Sequence, residues 1–118
     1  MPSFANPFVG NIDRKIGKTE LLQALRVDIA SELEAIFLYD AHAHAAEDPL
    51  ARKVLADIRD EEMEHVGELL ALMRYLDPTV ADHMMEGEGE VKEMMAQLGI
   101  GADTIRDIDT SVGSLLDE

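Results

Sequence analysis

Two long runs of the chain repeat apolar residues at alternating steps of three and four. The first passes through Leu22, Leu25, Ile29, Glu32, Ile36, Tyr39 and Ala43. The second passes through Leu55, Ile58, Glu62, His65, Leu69, Leu72 and Leu76. This period predicts two helices, each with a coiled-coil-like seam. The first is expected from about Glu20 to Ala46, with Thr19 as its N-cap. Asp48-Pro49 stops it and opens the second, since Asp caps well and Pro suits the first helical position. The second is expected from Pro49 to Leu76, where Asp77-Pro78 repeats the punctuation. At 1.5 Å per residue each helix is about 40 Å long, and so short a turn requires them to lie antiparallel.

Outside these runs the pattern weakens. Residues 1–18 carry Pro2, Pro7, Gly10 and Gly17 without helical periodicity and read as an N-terminal arm. Phe4, Phe8, Val9 and Ile12 could pack onto a neighbour. Beyond Pro78 a bend is expected at Gly87 and Gly89, then a short helix over 91–99. The helical region therefore spans 19–99, and 100–118 is a polar tail expected to be mobile. The fold class is all-α: an antiparallel hairpin with a short third helix.

Each seam is interrupted near its middle by residues that bind metals. Glu32 lies roughly as far before the turn as Glu62 and His65 lie after it, so equal rise brings all three to one height. An uncompensated buried carboxylate costs several kcal/mol, and one imidazolium offsets only one of two acids. Glu62 and His65, three apart, project from one helix face and can bind one ion. A donor set of carboxylate and imidazole suits iron or manganese. A complete dinuclear site in a four-helix bundle needs two Glu and two Glu-x-x-His motifs, and this chain has one of each. A second hairpin, related by a two-fold axis, would supply the other half and cover the exposed seam. The metals would then sit between two chains.

Composition narrows the setting. The 118 residues suit one domain, and 47% are apolar but only 4% aromatic, so aliphatic side chains and Met must build the core. There is no cysteine, which excludes disulfides, thiolate metal sites and thiol nucleophiles. No export signal or membrane-length apolar run is evident, so a cytosolic location is expected. The formal charge of −15 opposes binding to nucleic acid or anionic membrane and concentrates cations.

The segments "ELEAIFLYD" (32–40), "DPL" (48–50) and "RDEEMEH" (59–65) resemble the encapsulated ferritins, cargo proteins of encapsulin nanocompartments. The resemblance covers about residues 20–98. It implies that Glu32, Glu62 and His65 are ferroxidase ligands at a di-iron site shared by two chains. It also implies an annular decamer and a tyrosine, Tyr39, beside the site. The tail segment "VGSLL" (112–116) is similar to cargo-loading peptides, so 109–118 is expected to be the shell-binding peptide, and Ile108, Val112, Leu115 and Leu116 of the tail could fill apolar pockets on the shell. The sequence departs from better-known members at Ser31, where an acid is common, and at Leu38, where Trp occurs. Of the acids near position 31, Glu34 remains for an outer role.

The implied activity is oxidation of Fe(II) by dioxygen, with Fe(III) stored in the surrounding shell. Rival readings are another di-iron or di-manganese oxidase or peroxidase, and a helical adaptor without catalysis. No rubredoxin-type cysteines are present to feed a peroxidase. Asp60, Glu61, Glu64, Glu68, His42, His44 and His83 are expected on the solvated surface.

Overall fold

The computed structural model describes residues 12–106. Most of the N-terminal arm, and residues 109–118, expected above to bind a shell, lie outside the described residues. Among the described residues the order is α1 (Lys18–Ala45), α2 (Pro49–Leu76), α3 (Pro78–Gln97) and a 3-10 turn at Ala102–Thr104, with no strand. The chain divides into two compact units, one ending at Val80 and one beginning at Ala81.

In the first unit α1 and α2 pack as an antiparallel hairpin joined by residues 46–48. Asp48 closes the turn as expected: its carboxylate accepts from the Ala51 N–H at 2.8 Å, with Pro49 next in line. The start of α1 differs from expectation. Thr19 lies inside the helix, and the N-cap is Gly17, whose carbonyl accepts from the Leu21 N–H at 2.9 Å. A bidentate ion pair between Arg14 and Glu20, both contacts 2.7 Å, draws the entering chain against the first turn.

The core of the hairpin is Leu22, Leu25 and Met73, with Leu21, Ile29, Leu69, Leu76 and Val80 packed against it. Ala43 is buried nearer the turn. The α1 seam holds at every position. In α2 it drifts: Leu72 is exposed while Met73 is buried. Three true helical turns are about 10.8 residues, so the residue below Glu62 is Met73, eleven on, rather than Leu72.

Asp77 ends α2 and opens α3. Its carboxylate accepts from the Thr79 hydroxyl at 2.7 Å and from the Thr79 N–H at 3.1 Å. These two bonds, with smaller contributions from Lys18 and Arg26, hold its pKa below the ordinary carboxylate value.

The third helix is longer than the spacing predicts. It runs unbroken through Gly87 and Gly89 to Gln97. Each glycine costs about 1 kcal/mol relative to alanine, but Met, Glu, Val and Lys around them are adequate helix formers. The helix stops at Gly99, which has φ +75°. There the Ile100 N–H bonds to the Met95 carbonyl at 2.8 Å and the Gly99 N–H to the Ala96 carbonyl at 3.2 Å. This is a Schellman closure, which needs a left-handed residue and so favours glycine. The chain past Gly101 begins with an ordered 3-10 turn, in which both the Thr104 N–H and its hydroxyl bond back to the Gly101 carbonyl.

Candidate metal centre

Glu32 on α1 and Glu62 and His65 on α2 meet at mid-height of the hairpin. One ligand atom from each lies within 4.8 Å of the others. His65 Nδ1 is 3.4 Å from Glu62 Oε2 and 3.5 Å from Glu32 Oε2. Those separations exceed a good N–H···O hydrogen bond yet match the spacing of donors around one ion at about 2.1 Å. The donor chemistry therefore fits a divalent first-row metal. Glu62 and Glu32 are 16% and 26% exposed at the side chain, and His65 is 48% exposed. The cluster thus opens on the flank of the hairpin that carries His65.

That flank carries the exposed acids Glu61 and Glu68 next to the histidine and apolar residues further along. Val54 and Leu72 lie about three turns before and two turns after His65 on the same side of α2, and are 46% and 41% exposed. Tyr39 lies two turns beyond Glu32 on α1 and is half-buried, whereas Glu34 is exposed. Asp60, Glu61, Glu64, Glu68, His42, His44 and His83 are all exposed, as expected.

Sequence reasoning missed the polar contacts that flank the cluster. Arg59 donates to Asp40 across the two helices at 2.6 Å and to Asp60 at 3.1 Å. His44 Nδ1 lies 2.8 Å from the Asp40 carbonyl. The only advance signal was an arginine on the inner face of an otherwise acidic segment.

The fold and this donor set define a ferritin-like helical hairpin with a carboxylate–imidazole centre. A family model described as EncFtn-like matches residues 12–87. The chain belongs to the EncFtn-like family. It is 44% identical over 89 residues to a ferritin-like–encapsulin shell fusion protein of Pyrococcus furiosus, covering 75% of this chain and 26% of that protein. It is 41% identical over 81 residues to the encapsulin nanocompartment cargo protein EncC of Myxococcus xanthus, covering 69% and 62% respectively. The chain thus spans about a quarter of the first relative and three-fifths of the second. The crystal structure of an encapsulated ferritin domain from Pyrococcus furiosus superposes with a TM-score of 0.69 at 42% identity, over 82% of this chain and 96% of that one. Among the described residues no helix is long and apolar enough to cross a membrane.

Proposed function

We propose that this chain is a ferroxidase cargo protein of an encapsulin shell, with a di-iron site built from Glu32, Glu62 and His65 of two copies. One observation carries the reading: half a ligand set converges at mid-helix and opens on an exposed flank of the hairpin. Three donors leave an ion short of the coordination that iron favours, and Val54 and Leu72 leave apolar area uncovered. A second hairpin laid on that flank supplies both needs, and the bundle then has two Glu and two Glu-x-x-His motifs.

Fe(II) is the substrate. Two adjacent Fe(II) ions each give up one electron, and dioxygen accepts both electrons with two protons to leave as hydrogen peroxide. The carboxylates favour the ferric product through their charge, and the imidazole completes the donor set without adding negative charge. The acidic surface of the chain raises local Fe(II) concentration. Tyr39 and Glu34 are assigned outer roles beside the site.

Storage of the Fe(III) product belongs to the shell. The relatives named as encapsulin cargo or as a shell fusion support this setting, and residues 109–118 are assigned as the shell-binding peptide. Apolar surface on the opposite flank, where Leu33, Phe37 and Met63 are 53%, 72% and 52% exposed, supports assembly beyond a dimer, into a ring such as a decamer.

The test is anaerobic Fe(II) titration followed by air. Two ions bound per dimer, metal-promoted assembly and rapid oxidation are expected. A monomer that binds two irons, or a dimer that binds without oxidising, sinks the reading.

A further inference from the structure

Near its turn the hairpin holds a recess of about 400 Å³, a size that suits a small molecule. Ala43 on α1 and Ala56 on α2 give it an apolar floor, and His44, Arg52, Lys53 and Arg59 stand around it. The chain has only 10 Lys and Arg against 25 Asp and Glu, yet three of those ten fall between positions 52 and 59.

Neighbouring acids do not use up these cations. Asp48 lies one turn before Arg52, and Asp57 one turn after Lys53. Among the described residues neither Arg52 nor Lys53 makes an ion pair. Asp48 instead accepts from the Ala51 N–H at 2.8 Å. Arg59 gives Nη1 to Asp40 at 2.6 Å and Nε to Asp60 at 3.1 Å, and among the described residues its Nη2 has no bond. Arg59 can therefore donate into the recess without releasing Asp40.

The net charge of −15 repels anions at long range. At physiological salt that repulsion is screened beyond about 8 Å, so contacts inside the recess decide. A guanidinium and an ammonium group on one rim are suited to phosphate, one as a planar fork and the other as a point charge. Charge-assisted hydrogen bonds of this kind are roughly twice as strong as neutral ones.

We propose that this recess binds a phosphate group, held by Arg52, Lys53 and Nη2 of Arg59. The phosphate is either free or carried on a small molecule whose apolar part covers Ala43 and Ala56. Arg52 lies ten residues before Glu62, about 15 Å along α2. The site is therefore separate from the metal ligands and does not depend on the ferroxidase reading.

The test uses the full chain, isotope-labelled and metal-free. Inorganic phosphate is titrated against chloride at matched ionic strength, and backbone amide shifts are followed by NMR. Shifts confined to residues 43–59 and a dissociation constant of about 1 mM or tighter are expected. Arg52→Gln with Lys53→Gln should weaken binding by at least about tenfold. Lys15→Gln with Arg26→Gln removes the same charge elsewhere on the surface and should leave binding unchanged. Circular dichroism checks that both variants keep their helix content. Adenosine monophosphate supplies a second arm. If it binds more tightly than phosphate and is lost in the Arg52 and Lys53 variant, the site takes a phosphate ester; equal or weaker binding assigns it to free phosphate. Equal losses in the two double variants would reduce the effect to net charge and overturn the proposal. Shifts spread over the whole surface, or no saturation by about 50 mM phosphate, would overturn it as well.

Discussion

Arg59 Nη1 donates to Asp40 Oδ1 across the two long helices at 2.6 Å. The pair lies about two turns from Glu32 on α1 and one turn from Glu62 on α2. A guanidinium on α2 held by a carboxylate on α1 resists sliding of one helix along the other. Sliding by one residue would move Glu32 about 1.5 Å from the level of Glu62 and His65. Asp40→Asn or Arg59→Met should therefore weaken metal binding without removing a ligand. We expect an affinity loss of about tenfold, the low end for outer groups that position ligands. Metal-dependent shifts in melting temperature would check it; unchanged shifts would mean that the register is held by packing alone.

Loss of a ligand should cost more. In the proposed two-fold site Glu32→Ala, Glu62→Ala and His65→Ala would each remove two donors, and each should slow Fe(II) oxidation by at least about a hundredfold. The acid variants should also stabilise the metal-free assembly, because four carboxylates crowd together there. Glu61→Ala, one residue away on an exposed face, should be nearly silent. Stopped-flow oxidation assays decide this, and equal losses at 61 and 62 would refute the assignment of the ligand face.

Met73 and Leu72 are neighbours with different roles. Met73 is 5% exposed in the hairpin core, so Met73→Ala should cost about 2 to 5 kcal/mol of stability. Leu72 lies on the His65 flank, so Leu72→Asp should leave helix content intact and weaken pairing between chains. Thermal unfolding and sedimentation measured together separate the two effects.

The junction of α2 and α3 should be acid-sensitive. The Asp77 pKa is depressed in the folded chain by its bonds to Thr79. Its contribution to stability is therefore present above the ordinary carboxylate range and fades as pH falls through the lowered value. Asp77→Asn should lower stability at neutral pH, and the gap to the parent chain should close on acidification. Denaturation midpoints across a pH series would show it; a gap that widens toward acid would contradict the assignment.

Residues 109–118 are proposed as the shell-binding peptide and are not among the proposed ligands. Their deletion should leave oxidation and assembly intact while abolishing co-purification with a shell protein. Leu115→Asp should mimic the deletion. In the proposed ring several weak tails would bind by avidity, so loading should fall more steeply than single-peptide affinity. Cargo counted per particle after co-expression is the measurement, and normal loading of the truncated chain would exclude a targeting role for these residues.

The sequence alone determined the features that depend on nearest neighbours and helical period. Asp48-Pro49 and Asp77-Pro78 mark the ends of α2 because capping and proline geometry are local. Glu32, Glu62 and His65 were legible because ligand-type residues interrupt two apolar seams at matching distances from one turn. Tertiary structure decided what a one-dimensional period cannot express. A strict heptad placed Leu72 inside, but the real helix turns every 3.6 residues and buries Met73. Gly87 and Gly89 looked like a break, yet helix propensity is a sum over neighbours and the helix runs on to its closure at Gly99. The Arg59–Asp40 pair could not be read in advance, because it joins residues distant in sequence only after two helices pack at one particular rotation.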